Sequence, residues 1–432
     1  MTLSIDGRAP GALRPTAARA APVVLALGLL ALAAGPALAD PAAPAGVWQQ
    51  VLNPAPAIGL DGKPHAAACS GYPGTDPRFS FWHKRGKSKN LVVYFEGGGA
   101  CWDSFSCTFP IVPGLPDQVP QLYTPQVPAG SSPASYDGIF NAGNPANPAK
   151  DWSFVYIPYC TGDVHNGSAD RTYANAGHPV FPLPSIFNIH HGGFDNFMVV
   201  LDWMRRNVDK PEQILVAGSS AGGYGASTNF PWVQRAFPKA KMAVLADAAQ
   251  GVLSPAFDTA LPGRNSWNPQ LAPWVFGADV NQVASSVILR TAALASPRVR
   301  VGQFTTNFDA VQIQFYGVSL LTNPALPACP ASGLPVSWNH AAQASLAAAT
   351  AAPNYRHYVA GGSYHTILRS PAFYTEASAG VAFKDWLAAM LTPGRHLGQL
   401  DAGDDDAPSA RSPLGPWQNL ACPGCLAPLP CL

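Results

Sequence analysis

The sequence predicts an α/β fold, a mostly parallel central sheet with helices on both faces, and three observations predict it. Short apolar runs rich in β-branched and aromatic residues alternate with stretches whose apolar residues recur at helical spacing. Several of these runs end in glycine-rich turns, as parallel strands do where they pass into crossover connections. One run, Ile214 to Tyr224 (I-L-V-A-G-S-S-A-G-G-Y), leads from an apolar strand through a serine-bearing glycine turn into a helix.

Taken in order, the chain starts with a processing segment. Arg8, Arg14 and Arg19 precede an apolar stretch from Ala20 to Ala34, and Ala37-Leu38-Ala39 offers a small-residue cleavage site before Asp40. Residues 1–39 are therefore read as a signal peptide and the protein as secreted, extracellular or periplasmic. The apolar core is short for a membrane span, and no later run is long enough for one, so no stable membrane anchor is expected. Residues 40–395 are assigned to one catalytic domain and 396–432 to a cysteine-containing C-terminal extension.

Within the domain, Asp40 to Asn90 is Pro/Gly-rich and reads as extended chain and short strands. Leu91 to Phe95 is a buried strand ending in Glu96-Gly97-Gly98-Gly99, and Phe154 to Pro158 is another strand. Between them, Cys101 to Pro148 is a long segment without evident elements, a kind that is more often functional than idle. Phe194, Phe197, Leu201, Met204 and Val208 fall at helical spacing, so Gly193 to Val208 is an amphipathic helix leading into the strand at Ile214. A helix over Ala221 to Phe237 follows. Later strands are expected at Met242 to Ala246, Val301 to Phe308 and Tyr355 to Ala360, with helices at Val283 to Ala295 and Gly380 to Leu391.

Composition narrows the function. Removal of the first 39 residues, with Arg8, Arg14, Arg19 and Asp6, takes the formal charge from +1 to −1. No basic excess is left to hold nucleic acid by counter-ion release. Charged residues are only 12%, with 45 Pro and 40 Gly, which implies a loop-rich but well-packed chain. All 8 cysteines follow the processing segment, and in an oxidising compartment they read as disulfides, Cys101 with Cys107 being the one local loop expected. No metal or cofactor is expected. The tail cysteines 422, 425 and 431 lack a nearby fourth ligand for zinc, and His190-His191 and Asp163-x-His165 read as structural histidines.

Only one serine fits a G-x-S-x-G frame: Gly218 and Gly222 bracket Ser220, whereas Ser219 has Ala217 and Ala221 at those places. Such an elbow holds the serine on a strained turn with its hydroxyl clear of the sheet. A serine needs a base to take its proton and an acid to orient that base, and on this kind of fold they follow in the order Ser, Asp/Glu, His. Four histidines lie beyond Ser220. His365 alone follows a strand and a Gly-Gly turn; His357 lies inside the strand, His396 past the last helix, and His340 in a loop. For the acid, Asp247 and Asp309 both stand just after strands, and spacing leaves both open, with Asp309 the nearer to His365. Backbone amides of Ala221, Gly98 and Gly99 are the candidates for an oxyanion hole.

Five blocks in order, Y-F-E-G-G-G-A-C-W at Tyr94 to Trp102, P-Y-C-T-G-D at Pro158 to Asp163, G-S-S-A-G-G at Gly218 to Gly223, F-D-A-V-Q at Phe308 to Gln312 and S-Y-H at Ser363 to His365, resemble the pectin acetylesterase/Notum family of α/β-hydrolases. The resemblance implies Ser220 as nucleophile, His365 as base and Asp309 as acid, acting on oxygen esters of small or fatty acids. Where plant members carry Trp after the third glycine this chain has Ala100, and where Notum carries Trp in place of that glycine it has Gly99; Trp102 stands two residues on as a candidate substrate-binding wall. The expected function is a secreted serine acetylesterase acting on pectin-like polysaccharide. The alternatives are a polyester or longer-acyl esterase with the same triad, and a non-catalytic carbohydrate-binding protein.

Overall fold

The computed structural model describes residues 44–111, 114–115, 118–392, 417–427 and 431. The processing segment expected at residues 1–39, His396 and the linker after residue 392 lie outside the described residues. Among the described residues no helix is long and apolar enough to cross a membrane.

The main sheet has nine strands: β1 Trp48–Leu52, β2 Ser80–Lys84, β3 Asn90–Phe95, β4 Ser153–Ile157, β5 Gln213–Ser219, β6 Lys241–Asp247, β7 Arg300–Thr306, β8 Tyr355–Ala360 and β9 Leu420–Ala421. Their spatial order is β1-β2-β4-β3-β5-β6-β7-β8-β9. β2 runs antiparallel to both β1 and β4, and every pairing from β4 to β9 is parallel. A mostly parallel sheet must be covered on both faces, and the pleat shows it. Leu91, Val93 and Phe95 of β3 enter one core with Ile214 and Val216, whereas Val92 and Tyr94 enter the other with Leu215 and Ala217.

Among the described residues the helices of eight or more residues are α1 Gly193–Asn207, α2 Ala221–Ala236, α3 Ile288–Ala295, α4 Ala310–Thr322, α5 Gly333–Ala349 and α6 Phe383–Leu391. α1 buries Phe194, Phe197, Leu201 and Met204, the stripe that periodicity marked. Four expectations change. The helix expected from Val283 begins at Ile288, after a 3-10 turn at Ser285–Val287. His340 lies on α5, not in a loop. The helix expected from Gly380 begins at Phe383, after a hairpin pairing Ala377–Ser378 with Val381–Ala382. α4 and α5 have no counterpart in the periodicity: both are apolar on more than one face, so no single stripe stands out.

The cysteines pair as Cys69–Cys160, Cys101–Cys107, Cys329–Cys431 and Cys422–Cys425. The tail is drawn into the sheet as β9, where Leu420 pairs with Tyr358 and Ala421 with Val359.

Candidate active site

β5 ends at Ser219, and Ser220 turns the chain into α2 with φ 58° and ψ −126°. The turn is this tight because its glycines leave no room. A Cβ on Gly218 would stand 2.0 Å from the Gly222 carbonyl oxygen, and one on Gly222 would stand 2.0 Å from that of Phe95. Positive φ at a serine is strained. The turn is held by a bond of 2.7 Å from the Ser220 amide to the Asp247 carbonyl.

β3 delivers the glycine run to the same place. A Cβ built on Gly97 would lie 2.9 Å from Ser220 Cβ, so the run passes directly against the serine. Gly99 has φ +73°, and a Cβ there would meet the Leu122 carbonyl oxygen at 1.9 Å. Ala100 N–H donates to that same carbonyl and Thr124 N–H donates to the Gly98 carbonyl, so the run is strapped down through its flanks. Gly99 and Ala221 both line the cavity that holds Ser220.

β7 and β8 supply the other two groups. Asp309 follows β7 and caps the N-terminus of α4, accepting the amides of Val311 and Gln312 at 3.1 and 3.0 Å, while Gln312 Nε2 donates to its second oxygen at 3.0 Å. Its side chain is fully buried. His365, on the turn after β8, places Nδ1 2.9 and 2.8 Å from the two carboxylate oxygens. A carboxylate held by three donors can only accept, so the ring proton sits on Nδ1. Nε2 is left with its lone pair, is buried and has no hydrogen-bond partner. His365 lines the same cavity as Ser220.

Asp247 sits elsewhere in this geometry. It is the C-terminal residue of β6, directly paired with Ser219. Its buried carboxylate accepts the amides of Ile367 and Leu368 at 3.0 Å and the Ser219 hydroxyl at 2.6 Å, and Tyr94 hydroxyl lies 2.7 Å from that serine. Burial pushes its pKa up, against these hydrogen bonds. One residue thus ties the backbone of the elbow serine and the loop just after His365 to the same strand end. A second tie is Arg369, 3.2 Å from Glu96, the residue that opens the glycine run. Sequence reading treated Asp247 only as a rival acid and did not single out Glu96 or Arg369 for any role; an ion pair across 273 residues leaves no local signal.

The cavity encloses about 790 Å³ of empty space, its open mouth included. Trp102 is one wall: it is 1% exposed, its Nε1 donates to Thr322 Oγ1 at 2.9 Å, and it packs edge-on against Phe257. Val252, Leu253, Trp267, Ile288 and Phe315 continue the apolar lining. Among the described residues the charged lining side chain is Arg264, whose Nη atoms reach Asp258 at 3.3 Å and the carbonyls of Val283 and Val280, while its Nε has no partner. The site therefore presents a nucleophile-type hydroxyl, an imidazole with a free nitrogen, a glycine loop, and a mostly apolar chamber.

Of the histidines set aside as structural, His191 uses both ring nitrogens and His165 one in buried hydrogen bonds, whereas His190 pairs Nδ1 with Asp170 and leaves Nε2 without a partner. Asp163 accepts the hydroxyl of Thr161 and the amides of His165, Gly167 and Gly193. His165 Nε2 bonds the Glu96 carbonyl at 2.8 Å, and burial pushes its pKa down to about 4. Two groupings among the described residues have the spacing of metal ligands, Cys101/Cys107/His191 and Cys329/His340/Cys431, but in each the two cysteines are joined as a disulfide.

With this geometry in view, residues 62–252 match the family profile described as Pectinacetylesterase. Over this stretch, a little under half of the chain, the protein is similar to the pectin acetylesterases. It is also 27% identical over 151 residues to palmitoleoyl-protein carboxylesterase notum2 of Xenopus laevis, covering 33% of this chain and 26% of that protein. To palmitoleoyl-protein carboxylesterase notum1a of Danio rerio it is 27% identical over 150 residues, 33% of this chain and 25% of that one. The matched stretch thus spans about a quarter of the length of these curated relatives. The family match covers the glycine run and the elbow and stops short of Asp309 and His365.

Proposed function

We propose that the protein is a serine carboxylic-ester hydrolase whose preferred acyl group is an aliphatic chain longer than acetyl. The observation that carries this reading is the pairing of His365 Nδ1 with the buried Asp309 carboxylate, which leaves Nε2 unpartnered in the cavity that Ser220 lines. In this mechanism Ser220 Oγ attacks the ester carbonyl while His365 Nε2 takes its proton, and Asp309 stabilises the imidazolium. The carbonyl oxygen gains the negative charge and is met by amides of Ala221, Gly98 and Gly99; the N-terminus of α2 adds to that field. The C–O bond to the alcohol breaks as Nε2–H protonates the leaving oxygen. Water, deprotonated by His365, then splits the Ser220 acyl ester and frees the acid.

Chain length follows from the lining. The lining of Trp102, Phe257 and Ile288 offers an acyl chain an apolar wall, and each further CH₂ buried against it is worth about 0.8 kcal/mol. The names of the relatives agree, since those proteins are carboxylesterases acting on a palmitoleoyl group. The family profile favours a second reading, acetyl release from a pectin-like polysaccharide. The deciding experiment is hydrolysis of para-nitrophenyl esters from acetate to decanoate, with acetylated pectin alongside, by wild type and Ser220→Ala. kcat/KM that climbs with chain length and vanishes in Ser220→Ala supports the first reading. A maximum at acetate with release from pectin selects the second, and turnover unchanged in Ser220→Ala defeats both. The secreted, signal-bearing form belongs to the same proposal and is supported by the disulfides.

A further inference from the structure

Helix α4 buries polar side chains beside apolar ones and shows a leucine to solvent. The side chains it buries include Gln312, Tyr316 and Ser319, which bond inward: Gln312 Oε1 accepts the Gln250 amide, and Ser319 Oγ accepts the Ser254 amide and donates to the Tyr316 carbonyl. Of its apolar residues, Ile313, Tyr316 and Leu320 pack with Trp338 and Val318 packs against the Trp102 cluster, while others face the cavity or solvent. Val311 and Phe315 line the cavity, and Leu321 is 76% exposed. The loop to α5 continues the exposed apolar surface with Pro324, Leu326 at 83%, Pro330, Leu334 and Pro335. Leu334 Cδ1 lies 3.0 Å from where a Cβ on Gly317 would stand, one turn before Leu321, so the two leucines share one face of α4. Cys329–Cys431 pins the loop.

The charge pattern says what this surface suits. From Ala310 to Tyr355 the chain contains no Asp, Glu, Lys or Arg, although charged residues are 12% of the whole. An anionic membrane would be met by lysines and arginines, and a steered protein partner by a charged rim. Neither sign occurs here. The surface borders the active-site cavity: Phe315 is in the wall, Val318 packs beside it against the Trp102 cluster, and Leu321 follows one turn on, roughly 9 Å along the helix from Phe315 at 1.5 Å per residue.

We propose that the α4 face bearing Leu321 and Leu334, with the loop through Leu326, is a docking surface for the interface of an uncharged, water-insoluble acyl ester, a triacylglycerol-type droplet. Docking there sets the cavity mouth against the droplet and delivers ester without prior dissolution. The proposal rests on the esterase reading, and its test separates the two. Ser220→Ala protein, intact elsewhere, is floated with triolein droplets. The double variant Leu321→Asp/Leu326→Asp, which changes only exposed residues outside the catalytic machinery, is compared with wild type on dissolved para-nitrophenyl butyrate and on emulsified tributyrin.

The expected result is that Ser220→Ala floats with droplets, that the double variant does so at least ~10-fold less well in the same Ser220→Ala background, and that its tributyrin rate falls at least ~10-fold while its dissolved-ester rate stays within about twofold. The proposal is overturned if Ser220→Ala stays in solution, or if the two rates fall together. It is likewise overturned if wild type elutes as a dimer that the double variant breaks with tributyrin hydrolysis intact, since the face then belongs to a second copy. A wild type that hydrolyses neither ester while Ser220→Ala still floats would sink the esterase reading and leave the docking surface standing.

Discussion

Asp247→Asn is the substitution whose outcome best separates positioning from chemistry. In the structure one oxygen of this carboxylate faces three donors, the Ser219 hydroxyl and the amides of Ile367 and Leu368, while the other faces Ile367. An asparagine offers one acceptor and turns an NH₂ toward at least one of those donors. Losing a hydrogen bond to a charged acceptor costs about 1.5–3 kcal/mol. The loss falls on the turn carrying His365 rather than on the cavity wall, so it should be expressed in the approach of Nε2 to Ser220. At 1.36 kcal/mol per tenfold, kcat should fall roughly 10- to 150-fold with KM for a dissolved ester within about threefold. Asp309→Asn removes the group that orients and charges the imidazole and should cost more, about 10⁴-fold. Steady-state kinetics on para-nitrophenyl butyrate, with circular dichroism to show that each variant is folded, reads both. The reasoning fails if Asp247→Asn costs as much as Asp309→Asn, or if its effect appears in KM instead of kcat.

Three other outcomes follow from particular contacts. Ser220→Gly should abolish turnover yet raise the thermal unfolding midpoint, because glycine relieves a residue held at φ 58°, a strain worth about 1–3 kcal/mol; a lowered midpoint would contradict it. Gly99→Ala forces a Cβ toward the Leu122 carbonyl and should shift the glycine loop, with kcat falling about 10²- to 10³-fold, as for loss of one oxyanion donor, and unchanged kcat in a folded variant would count against the loop's role. His65 bonds Asp195 at 2.6 Å and Asp61 at 2.9 Å; burial opposes its charge, but these bonds outweigh it and raise its pKa. A raised histidine stabilises fully below its unfolded value of about 6.5 and loses that contribution as pH rises through the folded value. The midpoint difference between wild type and His65→Gln should therefore be larger at pH 6 than at pH 9, and equal differences would refute the pairing.

Much of the architecture was legible because it is written in local pattern. Strands β3 to β8 and the helices α1 and α2 came within one or two residues of their places, since buried strands read as continuous apolar runs and α1 has a single apolar stripe. The elbow was legible for a steric reason: Gly218 and Gly222 sit where no side chain fits. α4 and α5 were not legible. α4 buries glutamine and serine and shows leucine to solvent, so the moment that reveals an ordinary surface helix is absent, and His340 was misplaced with it.

By itself, then, the sequence determined a parallel α/β sheet, a serine on a glycine elbow, a histidine after a later strand and a local Cys101–Cys107 loop, because each is set by residues close in the chain. It left Asp247 and Asp309 both open, since both follow strands, with Asp309 preferred as the nearer to His365 and selected by the resemblance. Only the tertiary structure decided which groups each aspartate meets. Asp309 reaches His365 Nδ1 because α4 begins at that residue and turns its carboxylate toward β8, whereas Asp247, one strand nearer the elbow, meets the amides of Ile367 and Leu368 first. Which carboxylate faces an imidazole depends on how neighbouring strand ends are stacked, and that information is held in packing across the sheet rather than in any stretch of chain.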